Sequence, residues 1–377
     1  MNDIENILEK FRTVLRDPSP RLSTWKEQTG RMAFGYFCCY CPEEILYAGG
    51  ILPIRILGRE DSIYLADQYL PAFSCSFIRS SLELGLKGKL NFLDGIMFPQ
   101  TCDSIQVLSD IWRNMFPGMY HEFIGVPSVF GTADGEDYFF QELIRVKKNL
   151  EDFIHKKISP EDLTNSIKIY NKNRKMTEEI YNLKAEFPGF IKEKDLFAIS
   201  LSGFLLDRSE HSQLISKLLT ILKKHKKCTA DKKPRILLSG NVCNTLRIAN
   251  LVEESGGVVV YDDFCTGSRY FLRKTDENME PLNALVLRYM NKIKCPCKSG
   301  GDLDRGAYLL KLRKKYRLDG IIFLNVKFCD PHYFDYPYLR DTLRTHNIPH
   351  ILIDIDQTSN NIERIKVRME AFLETMI

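Results

Sequence analysis

The sequence predicts an α/β protein made of two mostly parallel halves joined by a helical segment. Three observations carry that prediction. Short apolar runs alternate with helix-period stretches between Arg31 and Val126, the pattern of strand–helix–strand units around a parallel sheet. Residues 137 to about 228 read as helical. From Pro234 the alternation restarts and echoes the first half: RILLSGNVC (235–243) lies over RMAFGYFCC (31–39), and Gly256-Gly257 takes the place of Gly49-Gly50. One unit is stated twice, LDGI-x-F at 93–98 and at 318–323, and each copy runs on to Cys-Asp, at Cys102-Asp103 and Cys329-Asp330.

In chain order, Ile4, Ile7, Leu8, Phe11, Val14 and Leu15 share one helical face, a docking helix expected to end at Pro18 and Pro20. A strand at 32–37 leads into the cysteine cluster CCYC (38–41), and Pro42 opens a helix, since its missing N–H would be unbonded in a first turn. Strand 51–57, helix 76–86, strand 93–98, helix 102–115 and strand 121–126 follow. The middle holds helices over 139–155, 162–185 and 208–227, the second announced by the N-cap signature SPEDL (159–163). The basic runs KKHKK (223–227) and DKKPR (231–235) read as a solvated helix end and linker, with a docking surface for an acidic partner as the other reading. Strands at 235–243, 258–261, 320–325 and 350–354 and helices at 281–292, 306–316 and 336–346 complete the second half. The expected organisation is therefore an N-terminal α/β domain (1–136), a helical connector (137–233) and a C-terminal α/β domain (234–377), each α/β half of the Rossmann- or flavodoxin-like kind.

Composition narrows the function. The 377 residues suffice for two or three cores, and 44% apolar with 27% charged residues is ordinary for a soluble globular chain. A net charge of +4 gives no argument for nucleic acid. No apolar run reaches the roughly 18 residues of a membrane span. Without an apolar signal core, and with Asp3, Glu5 and Glu9 unlike a transit peptide, the expected location is the cytoplasm.

Eleven cysteines are many for a reducing compartment, and their odd number does not suit a disulfide framework. Buried cysteines also serve as small hydrophobes, the reading given to Cys228 and Cys243. Others fall differently. In open parallel sheets ligands bind beyond the carboxyl ends of the strands. Cys38 or Cys39, Cys102, Cys265 and Cys329 are expected there, with Cys75, Cys295 and Cys297 in the following loops. Thiolates converging from several loops suit a soft metal or an iron–sulfur cluster held in the cleft between the halves. CCYC holds a single CxxC, Cys38 to Cys41, with no second such pair and no Cys/His zinc spacing. It also has no GxGxxG, no GxxxxGK(S/T) and no GxSxG, so no nucleotide site and no hydrolase elbow are expected. His332, in CDPHYF, is a candidate proton or hydrogen-bond donor, an ordinary loop histidine being the alternative. Glu44 lies near the expected cleft, although Glu43 and Glu44 also suit a helix N-terminus for its dipole alone.

Several long motifs carry a resemblance: YCPEEILYAGGILPIRILG (40–58), CSFIRSSLELGLKGKLNFLDGIMFPQTCDS (75–104), YDDFCTGSRYF (261–271), KCPC (294–297), DGIIFLNVKFCDPH (319–332) and RIKVRMEAFLE (364–374). Together with YFFQELIRVKKNLE (138–151) they resemble the 2-hydroxyacyl-CoA dehydratase and benzoyl-CoA reductase family over nearly the whole chain. The resemblance implies an oxygen-sensitive iron–sulfur subunit whose three 4Fe–4S ligands map onto Cys75, Cys102 and Cys329. It implies a homologous second subunit or second copy as partner, and a separate ATP-hydrolysing iron–sulfur activator that injects single electrons. It also implies an acyl-CoA substrate, dehydrated through a ketyl radical or reduced. A branch of the family, the double-cubane cluster proteins, carries an 8Fe–9S cluster on three further cysteines, which here resemble Cys38, Cys265 and one of Cys295 and Cys297. A small-molecule reductase and a non-catalytic relay or partner subunit are the alternatives.

Overall fold

The structure is a computed structural model and describes residues 2–59, 62–188, 191–224, 233–242, 246–292, 295–301, 304–356 and 362–376. Cys228, Cys243 and half of the two basic runs (225–227 and 231–232) lie outside the described residues.

Two helices come first, α1 (Asn2–Arg16) and α2 (Pro18–Thr29). Pro18 was expected to stop the helical region. It instead opens α2 from an extended Asp17, because a proline at the first helical position has no N–H to leave unbonded. Helix α1 does dock: Phe11 is fully buried against His211, and Arg12 pairs with Asp195 at 2.5 Å.

The first half then runs β1 (Ala33–Tyr36), α3 (Glu43–Ala48), β2 (Leu52–Arg55), α4 (Ser76–Leu86), β3 (Gly95–Pro99), α5 (Asp103–Met115) and β4 (Tyr120–Ile124). Its strands form one parallel sheet in the order β2-β1-β3-β4. After β5 (Val129–Phe130) come four helices, α6 (Ala133–Ile154), α7 (Pro160–Glu186), α8 (Glu193–Ser202) and α9 (Arg208–Lys224). The SPEDL signature acts as read. The Ser159 hydroxyl accepts from the Asp162 N–H, and the Asp162 carboxylate accepts from the Ser159 N–H. Helix α8 was not foreseen: eight of its ten residues are buried, so it has no polar face to give it a period.

The second half runs β6 (Arg235–Gly240), α10 (Leu246–Glu254), β7 (Val258–Asp263), α11 (Ser268–Phe271), α12 (Pro281–Met290), β8 (Ser299–Gly300), α13 (Arg305–Tyr316), β9 (Gly320–Val326), α14 (Asp330–Thr345), β10 (His350–Ile355) and α15 (Ile362–Glu374). Its sheet is parallel in the order β10-β9-β6-β7. Every residue of β6 after Arg235 and all of β7 and β9 are buried, as parallel strands covered on both faces require. Helix α14 begins at Asp330, six residues before the expected start, and Pro337 is carried inside it.

A two-stranded parallel ladder crosses between the halves. Val129 pairs with Ser299 and Phe130 with Gly300. It stitches the CPC loop of the second half to the segment that follows β4 in the first.

Candidate metal centre

Cys75, Cys102 and Cys329 occupy the same structural position. Each is the N-cap residue of a helix, of α4, α5 and α14 respectively. Cys102 and Cys329 follow the carboxyl ends of β3 and β9, where the repeated strand-to-cysteine unit was expected to put them. A helix N-terminus carries partial positive charge and favours a thiolate over a thiol. None of the three sulfurs caps its helix with a regular hydrogen bond. The first-turn amides still act on them, those of Ile78 and Phe77 on Cys75, of Ile105 and Ser104 on Cys102, and of His332 on Cys329, each favouring the charged form. Burial opposes this. It pushes the Cys102 thiol up to about 11 and the Cys75 thiol higher, and for Cys75 the Cys329 and Cys102 thiols add to the rise. Cys329, from the second half, thus lies within electrostatic reach of Cys75 and Cys102 from the first. Phe328 takes a left-handed φ of 63° immediately before Cys329, a conformation bulky residues seldom adopt.

A second group lies deeper. Cys38, at a left-handed φ of 56°, Cys39, Cys265, Cys295 and Cys297 form a run of neighbouring sulfurs. Hydrogen bonds from Cys265 and Cys38 pull the Cys39 thiol well below its ordinary value, and Lys292 and Arg55 pull in the same direction. The hydrogen bond with Cys39, with burial, pushes Cys38 up, and hydrogen bonds with Cys295 and then Cys39, with burial, push Cys265 up. The sequence left Cys38 and Cys39 as alternatives; both belong to the group. The two groups adjoin, because Cys297 feels Cys102, Cys38 and Cys329, and Cys329 feels Cys265. Cys41 stands apart, its sulfur 3.8 Å from that of Met97, as a packing residue.

Local chemistry explains how Cys265 is placed. The DDFCTGSR segment folds back on Asp262, whose carboxylate accepts from the N–H groups of Phe264 and Ser268 at 3.2 and 2.8 Å and from the Tyr181 hydroxyl at 2.6 Å. A Cβ at Gly267 would collide with that carboxylate, so only glycine lets the loop close this tightly. Asp263 grips Arg269 through two bonds of 2.5 and 2.6 Å, and Arg269 reaches the Cys265 sulfur at 3.7 Å.

Sequence reading missed the buried cations. Arg55, Lys292 and Lys298 are each more than nine-tenths buried, and none has a carboxylate within salt-bridge range among the described residues. Arg55 donates to the Cys265 carbonyl at 2.8 Å, Lys292 to the Cys39 carbonyl, and Lys298 to the carbonyls of Gln100 and Val126 at 2.8 and 2.9 Å. Burial lowers the Lys298 ammonium, opposed by the thiols of Cys297, Cys38, Cys295 and Cys102. Buried charge without a counter-charge is costly, so this donor set, thiols faced by cations that lack carboxylates, fits an anionic occupant. Lys298 directly follows CPC, a signal that could have exposed it. Among the described residues no three His, Cys, Asp or Glu side chains are placed to hold a single metal ion; a cluster instead takes thiolates on separate irons.

Glu44 is fully buried and engaged by Arg174, with its other oxygen 2.8 Å from the Tyr289 hydroxyl. Burial raises it, but Arg174 and Arg288 outweigh that and hold it at about 2, as a carboxylate. Its neighbour Glu43 accepts from Tyr36 at 2.9 Å, Tyr270 at 2.6 Å and Arg208 at 3.0 Å. The pair forms a scaffold beneath the CCYC loop. His332 is buried in the first turn of α14, and burial with the nearby Arg269 and Arg305 keeps it neutral.

Fold and site together define an α/β protein with a two-part cysteine centre between parallel sheets. The model of the family described as 2-hydroxyglutaryl-CoA dehydratase, D-component, matches residues 38–376, and the chain belongs to this family of 2-hydroxyacyl-CoA dehydratase and benzoyl-CoA reductase subunits. It is 30% identical to a benzoyl-CoA reductase subunit of Thauera aromatica over 359 residues, 93% of each chain. It is 27% identical to the (R)-phenyllactyl-CoA dehydratase beta subunit of Clostridium sporogenes and 28% identical to the lactoyl-CoA dehydratase beta subunit of Anaerotignum propionicum, in both cases over 100% of each chain. Among the described residues no helix is long and apolar enough to cross a membrane.

Proposed function

We propose that this chain is the iron–sulfur subunit of an activator-dependent enzyme acting on an acyl-CoA thioester, by 2-hydroxyacyl-CoA dehydration or benzoyl-CoA-type reduction. The observation that carries the proposal is the meeting of Cys75, Cys102 and Cys329, from both halves, at three helix N-termini. These three would hold the cluster that supplies low-potential single electrons. The chain's own part is to orient and to exclude water. The first-turn amides stabilise the thiolates, the β5–β8 ladder fixes one half against the other, and Asp262 with Gly267 holds Cys265 in place. The partners proposed with it are a homologous subunit or second copy and a separate ATP-hydrolysing activator. Relatives that are named as individual subunits of dehydratases and of a reductase support a multi-subunit enzyme.

A second observation favours a larger, double-cubane cluster. The Cys38, Cys265, Cys295 and Cys297 group adjoins the first and faces cations without carboxylate partners. A cluster of that size would allow a reductive role on small molecules. The test is anaerobic purification with metal analysis, followed by turnover with activator, ATP and either a 2-hydroxyacyl-CoA or benzoyl-CoA. An iron-loaded, brown protein turning over one of the two supports the proposal. A colourless protein holding only zinc contradicts it, and an iron-loaded protein inactive beside a competent partner subunit points to an electron-relay role.

A further inference from the structure

We propose that Lys298 is a positioning residue shared by the two cysteine groups: its side chain locks the CPC loop to the loop before Cys102, and its charge raises the reduction potential of the iron–sulfur cluster held there. The inference rests on the cluster reading above.

Lys298 belongs by sequence to the second half, one residue after Cys297 and just ahead of β8. Its ammonium crosses to the first half. It donates to the carbonyl of Gln100, two residues before Cys102, and to that of Val126, just beyond β4. Only 8% of it is exposed. Two carbonyls orient an ammonium without neutralising it, so its full charge is left in a low-dielectric interior. The nearby anions it can serve are thiolates: Cys297, Cys38, Cys295 and Cys102 all lie within its electrostatic reach, which spans both groups.

Lys292 and Arg55 repeat the pattern on the other side. Each donates to one carbonyl and stands over a ring, Lys292 at 4.0 Å from the Tyr40 centroid and Arg55 at 4.8 Å from that of Phe204. Their carbonyl partners, Cys39 and Cys265, belong to the deeper group alone. Lys298 is thus the cation whose contacts bind one group to the other. Net charge and hydrogen bonding around a cluster set its potential, and a buried positive charge favours the electron-rich form.

The test compares anaerobic holoprotein of the wild type with Lys298→Arg and Lys298→Gln, reading the midpoint potential by redox titration followed by electron paramagnetic resonance, and counting iron per chain. Gln keeps donors for the two carbonyls and loses the charge; Arg keeps the charge. The expected result is a midpoint moved to more negative potential in Lys298→Gln and restored towards wild type in Lys298→Arg. Loss in Lys298→Gln of the iron share held by the deeper group, with the remainder retained, supports the inference equally. Full iron and an unmoved midpoint in Lys298→Gln would overturn it. Should that variant be insoluble, Lys298→Met removes the charge at the same position with an apolar side chain of similar length. A shift in the same direction then supports the charge role, and an unmoved midpoint overturns it. If the wild type holds about four irons, the double-cubane reading fails while the Lys298 inference is still decided by the midpoint, because Cys102 is within its reach. A wild type without iron overturns both.

Discussion

Cys75, Cys102 and Cys329 sit where helix dipoles converge, whereas Cys38, Cys39, Cys265, Cys295 and Cys297 sit among buried side-chain cations. The first arrangement is made by backbone. It needs only that three helices start at the cysteines, and it leaves Cys102 and Cys329 partly open to the surface, beside exposed Phe328 and Phe334. The second is made by side chains brought from distant parts of the chain, Arg55, Arg269, Lys292 and Lys298, and its Cys38 and Cys297 are partly open, as Cys102 and Cys329 are. Backbone support survives most substitutions; support from buried charges fails one residue at a time.

That contrast can be broken at its strongest point first. Cys329→Ser removes the one trio member supplied by the second half. The expected outcome is loss of nearly all cluster iron and of turnover, read by iron analysis and anaerobic assay. Cys265→Ser is expected to do less, removing about half the iron in a double-cubane protein while the trio keeps its share. If Cys265→Ser leaves iron content untouched, the deeper group is only packing.

Next in size is the scaffold under the deeper group. Glu44, normally near 4.5, is held at about 2 in the folded chain. A carboxylate with a depressed folded value contributes stability that is complete above the unfolded value and is lost as pH falls through the folded one. The window is therefore pH 4.5 down to about 2, and the contribution is on the order of 3 kcal/mol. Denaturant midpoints of the metal-free protein at about pH 6 and about pH 3, either side of the unfolded value, should show a steeper fall for wild type than for Glu44→Gln. Glu44→Gln should itself cost roughly 3 kcal/mol near neutral pH, because buried Arg174 loses its nearer carboxylate and keeps only Glu43 at 3.7 Å. Equal pH slopes in the two proteins would show that Glu44 contributes no such stability.

Gly267→Ala comes third. The added methyl meets Asp262 and should cost about 1–3 kcal/mol, with iron lost from the Cys265 group before the trio. The smallest effect expected is a control remote from both groups: Ser159→Ala opens the α7 capping box, costs about 1 kcal/mol and leaves iron unchanged.

The places of Cys102 and Cys329 were legible in the sequence, because a repeated strand-to-cysteine unit states both the element and the end at which the cysteine stands; Cys75 was joined to them only by the family resemblance. The parallel strands were legible for the same reason: β6, β7 and β9 are short apolar runs bounded by turns. Other parts left no local trace. Helix α8 is apolar on nearly all sides, and α2 begins at a residue that usually marks an end. β5 and β8 are two residues each, too short for any period, yet they join the halves. Lys292 and Arg55 look like any solvated basic residue until the fold buries them, and only its place after CPC sets Lys298 apart. Glu44 shows the reverse, since its place near the cleft suggested chemistry and the fold gives it an arginine partner.

Whether the two differently supported cysteine groups hold one enlarged cluster is decided most directly by iron and acid-labile sulfide per chain in anaerobically purified wild-type protein. The expected value is about eight irons per chain. About four, with iron content insensitive to Cys265→Ser and Cys38→Ser, would contradict the enlarged cluster and reduce the deeper group to a structural role.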